Sequence, residues 1–368
     1  MANTVSIDAL RQELWAKELL DDVQRDVENV MGFMGEGQNN VVNVSRDLAK
    51  NNGDIQTFGL VARLTGNGIT GDSELEGNEE SMNSYSEQVA IDQIRNAVRL
   101  TGKLDAQKTV YDQIKSAREN LRVWMKEFIC RQIMLKLGGV TNTTLVDTNG
   151  VVVGGRATWS NTPDYIPDAD EAAGVGNRYI CAETTGTDAL AAADIMTLDL
   201  VTSAATKAAL ANPKIQKIER GGESFYVMYL HPLCARDIRK SADWKSAQQY
   251  ARERGEKNPI FRGALGYWSN VLLLENEFVP WLDVSVAGNS FRGAAVGTDC
   301  AVDCARNLLV GQSAVLMAEA SNPDALVVET FDYKNKDGVA ANWIGGLQKA
   351  MFNSLEYGVI AVDAAAAV

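Results

Sequence analysis

Apolar residues recur at alternating four- and three-residue spacings between Asp105 and Leu137, which places them on one face of a helix. The stripe consists of Val110, Ile114, Ala117, Leu121, Trp124 and Phe128, and it is widened by Met125, Ile129 and Ile133. Asp105 can cap the first turn, and Gly138 and Gly139 can end the helix. At 1.5 Å per residue such a helix spans about 50 Å. We interpret it as a spine helix, residues 105–137, from which separate lobes extend; an ordinary core helix is the alternative.

A second helical pattern runs from Ser6 to Met31 and precedes a stretch rich in Asn and Gly, Gly35 to Asp54. Its apolar side consists of Leu10, Leu14, Val23, Val27 and Val30. Because the stretch that follows contains few large apolar residues, the pattern predicts an N-terminal arm, residues 1–53, that packs outside its own core. Leu10, Leu14 and Trp15 are its candidate contact residues. A helix docked on its own domain is the alternative.

Strand patterns at Thr57–Leu64 and Tyr85–Leu100 flank a connection that is almost free of apolar residues. A connection this long is unusual inside a compact domain. The sequence therefore predicts a projecting β-hairpin, residues 54–101, with a flexible acidic tip. The candidate contact residues of the tip are its glycines and carboxylates: Gly66, Gly68, Gly71, Asp72, Glu76, Glu79 and Glu80.

The rest of the chain alternates between strand and helix patterns. The apolar run Ser224–Leu230 predicts a central strand, since both of its faces would be buried. Asn149-Gly150 predicts a hairpin turn. Helices are predicted at Asp188–Asn212, Leu233–Lys240 and Ala242–Arg254, and strands at Val271–Leu274, Asn307–Met317, Ala325–Thr330, Val339–Ala350 and Gly358–Val362. These patterns predict an α+β fold, and the length of the chain predicts more than one lobe.

Composition narrows the class of protein. The net charge of −13 argues against a nucleic-acid reader that neutralises phosphates. The cysteines are five in number and scattered, so we expect no disulfide framework and a reducing compartment. The N-terminus lacks a secretory pattern, and no apolar run approaches the length of a membrane span. We therefore expect no membrane partner.

Two motifs in the acidic tip suggest a ligand, and both fail on chemistry. Gly66 to Gly71 fits G-x-G-x-x-G, but the carboxylates that follow would repel a pyrophosphate. Asp72, Glu74 and Glu76 resemble the start of a calcium loop, but its twelfth position is Asn83 and supplies no bidentate carboxylate. We predict no cofactor site and no metal site.

The remaining candidates for chemistry also have simpler explanations. His231 is the only histidine, and a structural role beside Pro232 is expected in place of catalysis. Cys300 and Cys304 have no histidine near them, so two buried thiols are expected in place of zinc. The basic segment Arg236 to Lys257, which includes Arg252 and Arg254, is either a solvated face or a docking surface for an acidic neighbour. No catalytic residue is predicted.

Several sequence blocks resemble one branch of the tailed-phage major capsid proteins, which have the Hong Kong 97 fold. The blocks in the hairpin are Phe58-Gly59-Leu60, Leu64-Thr65-Gly66, Gly68, Gly71-Asp72, Leu75-Glu76-Gly77-Asn78-Glu79-Glu80 and Ile91-Asp92-Gln93. The C-terminal blocks are His231-Pro232, Asp332-Tyr333, Asn335-Lys336 and Tyr357-Gly358-Val359-Ile360. The resemblance covers most of the chain and is weakest between Gly139 and Gly186.

The resemblance implies an N-arm, an extended loop that lies over a neighbouring subunit, a peripheral domain (102–187 and 325–353) with the spine helix, and an axial domain (188–324 and 354–368) with a central mixed sheet. It implies hexamers and pentamers of the chain that form an icosahedral shell around double-stranded DNA, without sequence-specific contact. It also implies portal, scaffold or decoration proteins as partners, assembly in the host cytoplasm, and a final location in the virion. Some relatives form Lys–Asn crosslinks, but no such pair can be matched here.

Two other classes of protein remain open. A non-viral shell of the same fold that encloses cargo would have the same architecture. A dinucleotide-binding enzyme is disfavoured by the single histidine and the failed motif. Electron microscopy of the expressed protein separates these classes, because polyhedral particles exclude the enzyme and packaged DNA excludes the cargo shell.

Overall fold

The fold is taken from a computed structural model of the chain. The structure describes residues 19, 22–28, 30–49, 53–61, 68–71, 74, 76, 79–82, 84–110, 112–146, 152, 154, 159–161, 178–183, 189–211, 213–251, 264–286, 289–291, 300–320, 325–352 and 355–367.

The spine is a continuous helix, but it begins later than the sequence predicts. Helix α3 spans Gln113–Leu137, and the Asp112 carboxylate accepts hydrogen bonds from the N–H groups of Ile114 and Lys115 at 3.0 and 3.2 Å. A separate short helix, α2, spans Lys103–Lys108 and ends where Thr109 becomes extended. The predicted start at Asp105 is therefore wrong, because a carboxylate seven residues later caps the first turn of the long helix. At its other end Gly139 has φ 62°, the left-handed conformation predicted for helix termination.

The apolar face of α3 is confirmed from its second turn onward. Its buried stripe includes Ala117, Leu121, Met125, Ile129 and Ile133. These side chains share one core with strands β5 and β15, which span Asp92–Arg99 and Lys336–Lys349. Val110, predicted on this stripe, is instead fully exposed, because it lies in the break between α2 and α3.

The first sheet has six strands in the order β1-β2-β13-β15-β14, with β5 paired to the other edge of β15. The strands not yet defined are β1 Met34–Gly35, β2 Val42–Ser45, β13 Val315–Glu319 and β14 Leu326–Phe331. Strand β2 pairs with β13 in parallel, and Val42 and Val44 are buried. The stretch rich in Asn and Gly, which the sequence predicts as part of the N-terminal arm, is therefore partly a sheet strand. Its valines Val41, Val42 and Val44 are buried in the core.

The N-terminal helix is docked on this body. Residues 19, 22–28, 30 and 31 are helical (helix α1), and Leu19, Val23, Val27 and Met31 are buried in the core shared with α3. On the flank of α1, the Arg122 guanidinium pairs with Asp26 at 2.9 Å. For the described part of the helix, the prediction of an arm that packs outside its own core is wrong. Its apolar side faces α3 of the same chain.

The second sheet has eight strands in the order β6-β18-β12-β8-β10-β9, with β11 paired to β12 and β7 to β8. The strands are β6 Tyr179–Cys181, β7 Ile218–Arg220, β8 Glu223–Leu230, β9 Ala264–Trp268, β10 Val271–Glu275, β11 Trp281–Leu282, β12 Cys304–Val310 and β18 Val359–Ala365. The short strands β16 Met351–Phe352 and β17 Leu355–Glu356 pair with each other. The helices of this half are α4 Leu198–Leu210, α5 Pro232–Lys240 and α6 Ala242–Ala251. Strand β8 is central, as predicted from its continuous apolar run. Helix α4 begins at Leu198 and not near Asp188, because Thr197 caps it.

The predicted strand Asn307–Met317 is two strands in two sheets. β12 ends at Val310, and β13 begins at Val315 in the first sheet. A Cβ at Gly311 would lie 2.4 Å from the carbonyl oxygen of Gln216, so only glycine allows the chain to pass there. Apolar periodicity missed the break, because both strands are buried and the pattern continues across the turn.

A buried ion pair joins two strands of the second sheet to the end of the spine helix. Arg306 on β12 donates to Asp363 on β18 at 2.7 Å and to the carbonyl oxygen of Gly138 at 3.2 Å.

Nearby, Cys300 and Cys304 form a disulfide, which contradicts the expectation of two free thiols and of no disulfide. A four-residue separation bridged by a bend brings their Cα atoms to 6.6 Å, a geometry that cysteine counting does not reveal.

Candidate assembly interfaces

The hairpin β3–β4 is a two-stranded sheet of its own. β3 spans Ile55–Val61 and β4 spans Ser84–Ala90, in a register that runs from the pair Ile55/Ala90 to the pair Val61/Ser84. This confirms the predicted hairpin, but the predicted return strand Tyr85–Leu100 is divided at Ile91 between β4 and β5. An isolated two-stranded hairpin is marginally stable in water, so it needs a surface to pack on.

One face of the hairpin packs on the body. Phe58, Leu60 and Tyr85 are partly buried against a cluster that includes Leu316 and Phe352. Phe352 also meets the ring of Tyr357 edge-on, with centroids 5.4 Å apart. The alternation along β3 and β4 places these side chains on one face, as the period of a strand requires.

The base of the hairpin is held by a short turn between helix α3 and the second sheet. Ser160 Oγ donates to the carbonyl oxygen of Ala90 at 2.5 Å, and Asn161 Nδ2 donates to the same oxygen at 3.2 Å. Asn161 Nδ2 also reaches the carbonyl oxygen of Leu347 on β15 at 3.3 Å. A Cβ on Gly346 would lie 2.3 Å from the Ala90 oxygen, so the close approach of the two strands requires glycine there. We call Ser160 and Asn161 the hairpin clamp.

A buried lysine supports the clamp from below. Lys136 in the last turn of α3 is fully buried, and its Nζ donates to the carbonyl oxygen of Asn161. Burial lowers the pKa of Lys136 to about 7. Holding a positive charge on this buried side chain therefore costs free energy in the folded subunit, and the amino group gains or loses its proton near neutral pH.

The other face of the hairpin and its tip lie outside the body. Ile55 and Val61 are 46% and 57% exposed. In the tip, Gly68 and Gly71 have φ of 67° and 72°, and the side chains of Glu74, Glu76, Glu79 and Glu80 are exposed. Gly66 and Asp72 lie outside the described residues. The described tip residues are not helical.

Three described residues at the start of the basic segment, Arg236, Arg239 and Lys240, contact acceptors of their own subunit. Arg236 donates to Asp237 at 3.1 Å and to the carbonyl oxygen of Ala367 at 3.0 Å. Arg239 donates to Glu275, and Lys240 lies 3.9 Å from Asp237. Arg252 and Arg254 lie outside the described residues, as do Leu10, Leu14 and Trp15 of the N-terminal segment.

The single histidine is structural. His231 is buried, its Nδ1 accepts from the N–H of Leu233 at 3.4 Å, and its ring stacks on Trp281. Burial lowers its pKa to about 4, so it stays neutral at physiological pH. In the described part of the chain, no group of three or more His, Cys, Asp and Glu side chains is placed to hold a metal ion. Within the same ranges, no helix has the length and apolar character needed to cross a bilayer.

Sequence patterns did not identify the clamp or the buried lysine. Ser160 and Asn161 follow a polar stretch that looks variable, and Lys136 has the same residue type as a solvated helix lysine. The one available signal is position, because Lys136 falls on the apolar side of α3 beside Ile133 and Leu137.

Comparison with known proteins identifies the family. A model of phage capsid proteins matches residues 3–368, and the chain belongs to this family. The major capsid protein of Pseudomonas phage KPP25 is 28% identical over 352 residues, which cover 91% of this chain and 90% of that protein. The capsid of Ralstonia phage GP4 has a TM-score of 0.77 and 25% identity, with 93% and 91% of the two chains covered. The Cyanophage Pam1 capsid has 23% identity and a TM-score of 0.67, and the match covers 91% of each of the two chains, which shows that they share the fold.

These findings confirm the expected fold class, the Hong Kong 97 type of phage capsid proteins. The protein is a structural component of a phage capsid and not an enzyme. Its functional surfaces are therefore those that meet other subunits, and the virion capsid is where the family is found.

Proposed function

We propose that this chain is the major subunit of an icosahedral phage shell, assembled from hexamers and pentamers around double-stranded DNA. The observation that supports this most directly is the hairpin β3–β4, which pairs with no further strand among the described residues and keeps one apolar-containing face exposed. Exposed Ile55 and Val61 on a marginal two-stranded sheet are explained if a neighbouring subunit covers them.

The family supports a viral shell over a cargo-enclosing one. Portal, scaffold or decoration proteins are proposed partners, and assembly is proposed to occur in the host cytoplasm. Packaged DNA would be enclosed without base-specific contact, since a net charge of −13 offers little to phosphates.

The proposed division of the subunit follows the sequence expectation. The peripheral domain comprises 102–187 and 325–353, and the axial domain comprises 188–324 and 354–368. Strand β13 pairs with β15 and β2, so we propose that its residues belong with the peripheral domain.

The test is electron microscopy of the purified protein and of particles from infected cells. Closed polyhedra from the chain support the shell, and nuclease-protected double-stranded DNA in the particles from infected cells supports the viral cargo. Purified protein that remains monomeric under all assembly conditions would contradict the proposal.

A further inference from the structure

We infer that the hairpin clamp is a hydration-controlled latch, which lifts when water enters a buried polar site beneath it and so releases the base of the hairpin. The buried site consists of Lys136 and Gln132 on α3 and of Trp159 in the turn, and its ligand is water. The inference concerns a single unassembled subunit, so it goes beyond the proposed function and does not depend on the shell.

The clamp joins the end of β4 to β15 through two side chains. Besides the two bonds to the Ala90 carbonyl, Asn161 Oδ1 accepts from the N–H of Ala90 at 3.4 Å. On β15, the N–H of Leu347 donates to Ser160 Oγ at 3.3 Å, and the Leu347 carbonyl accepts from Asn161 Nδ2 at 3.3 Å. The N–H and carbonyl groups of both strand residues therefore lose these partners together when the turn moves.

Three polar side chains beneath the clamp are incompletely hydrogen-bonded. Gln132 Oε1 and Trp159 Nε1 are buried and have no hydrogen-bond partner among the described residues. Within the same residues, Lys136 Nζ makes a single hydrogen bond, to the carbonyl oxygen of Asn161. A buried polar group without a partner favours any conformation in which water can reach it.

These three side chains lie along one line of contact between α3 and the turn. The rings of Phe128 and Trp159 are 5.4 Å apart, and Lys136, two turns further along α3, contacts Asn161. Gln132 is midway between Phe128 and Lys136 on the same side of the helix, so it faces the turn between these two contacts. A water at this point is offered two donors and one acceptor, which are the partners that a buried water requires.

The site is closed to solvent while the clamp is in place. Lys136, Gln132 and Trp159 are 0%, 1% and 6% exposed. The carbonyl oxygen that Lys136 Nζ contacts belongs to the clamp itself. Hydration of the amine and release of Ala90 and Leu347 are therefore one movement.

Burial is what acts on the proton of Lys136. It lowers the pKa of this lysine to about 7, and no charged group of the described residues contributes to the shift. Arg131 of α3 lies over an aromatic ring, Lys349 of β15 pairs with Glu356, and Asp92 of β5 is exposed. The proton therefore responds to whether water reaches the amine.

Protonation of Lys136 favours the open clamp. When the clamp opens, the amine is hydrated and its pKa returns from about 7 towards its ordinary value of 10.5. Between these values the open form binds a proton that the closed form does not, so the open fraction falls about tenfold for each unit by which pH increases. Below about pH 7 both forms are protonated, and the open fraction no longer changes with pH.

Hydrogen exchange of the unassembled subunit, resolved to single amides, measures the opening. The amides of Ala90 and Leu347 report the clamp. The amide of Ile91 donates to Asp54 and reports the pairing of the hairpin, and the amide of the buried Met228 in β8 reports global unfolding.

Because the hairpin stays paired when the clamp lifts, the two clamp amides should exchange roughly tenfold or more faster than Ile91 and Met228, after correction for intrinsic rates. Exchange of all four amides with one opening constant would overturn the inference.

Repeating the measurement at about pH 8 and about pH 9 tests the role of the proton. The wild-type opening constant at the clamp amides should fall about tenfold between these values, and that of Lys136→Met should stay the same. Lys115→Met changes an exposed lysine of the same helix and should behave as wild type. An opening constant of wild type that is independent of pH, or the same fall in Lys136→Met, contradicts the inference.

Gln132→Met tests the water site without changing a charge, and it decides the question if Lys136→Met does not fold. Methionine keeps the length and flexibility of the side chain but removes the acceptor that water would satisfy. The opening constant at about pH 8 should fall about threefold or more, and its dependence on pH should remain. An opening constant equal to or above that of wild type would show that no hydration site lies beneath the clamp.

Discussion

Helix α1 and the hairpin β3–β4 are close in the chain, yet one is packed into the body and the other is displayed on its surface. Val23 and Val27 of α1 are each 1% exposed in the core beneath α3, whereas Val61 of the hairpin is 57% exposed. Both segments contain apolar residues at regular spacing. The difference shows that the apolar face of α1 stabilises the subunit itself, whereas the exposed face of the hairpin remains available to other subunits.

The largest expected effect is at helix α1, the segment that is buried in the body. Val27→Asp places a carboxylate in the core between α1 and α3, and we expect the subunit to lose roughly 3 kcal/mol or more of unfolding free energy. The matched control is Val61→Asp on the exposed face of β3, which should change the unfolding free energy by less than ~0.5 kcal/mol. Urea unfolding of the unassembled subunits measures both.

Similar stability of the two variants would contradict the docked position of α1. It would restore the interpretation of an arm that packs outside its own core. Deleting residues 1–31 tests the same point more severely, because the deletion removes Leu19, Val23, Val27 and Met31 from the core and should leave an unfolded product.

A second prediction concerns the helix on which α1 rests. Ala117→Pro removes a hydrogen bond in the second turn of α3 and clashes with the preceding turn, so it should cost ~3 kcal/mol or more. Val110→Pro is the control, because Val110 is exposed between α2 and α3 and follows the extended Thr109. We expect a change of less than ~1 kcal/mol there. Equal loss in thermal midpoint for both would show a helix that is continuous from residue 105.

The third prediction uses the lysine beneath the hairpin clamp. Burial lowers the pKa of Lys136 from 10.5 to about 7 in the folded subunit. Between these values the unfolded chain binds a proton that the folded chain does not, so the unfolding free energy rises as pH increases from about 7 towards about 10. Below pH 7 both states are protonated and the folded subunit bears the full cost of the buried charge.

Lys136→Met should remove this part of the pH dependence, because methionine keeps the apolar stem and has no charge. Urea unfolding of wild type and variant at about pH 7 and about pH 9 measures the difference in slope. The same rise in both proteins would show that Lys136 is not the group responsible.

The smallest effect is expected at the tip of the hairpin. Changing Glu76, Glu79 and Glu80 together to Gln should leave the unfolding free energy of the unassembled subunit within ~0.5 kcal/mol of wild type, since these side chains are exposed. Thermal melts of the unassembled subunit check this, and light scattering against salt follows the effect on assembly. A marked drop in the melting temperature would show that the tip stabilises its own subunit.

The sequence predicted the elements whose pattern is local and long. The apolar stripe of α3 from Ala117 onward, the apolar run of β8 and the pairing of two strands in a hairpin agree with the prediction, because helix and strand periods differ clearly over such lengths. The family resemblance supplied the fold class, which periodicity alone leaves open between several α+β arrangements.

The rest depended on contacts between distant residues. The stripe on α1 predicts burial but does not say against which partner, and the docking on α3 appears only in three dimensions. The start of α3 was misplaced because both Asp105 and Asp112 are suitable caps, and only the break at Thr109 distinguishes them.

The junction at Ile91 has a mechanical consequence. One residue separates β4 from β5, and the N–H of Ile91 donates to the carbonyl oxygen of Asp54 at 3.0 Å, which ties both strands of the hairpin at its base. Tension on the hairpin is therefore transmitted directly into β5, whose residues from Asp92 to Arg99 are paired without interruption to β15. A force directed along β5 acts on all the backbone hydrogen bonds between β5 and β15 at once, so these bonds must break together. The force then passes through β15 into helix α3, which packs against it.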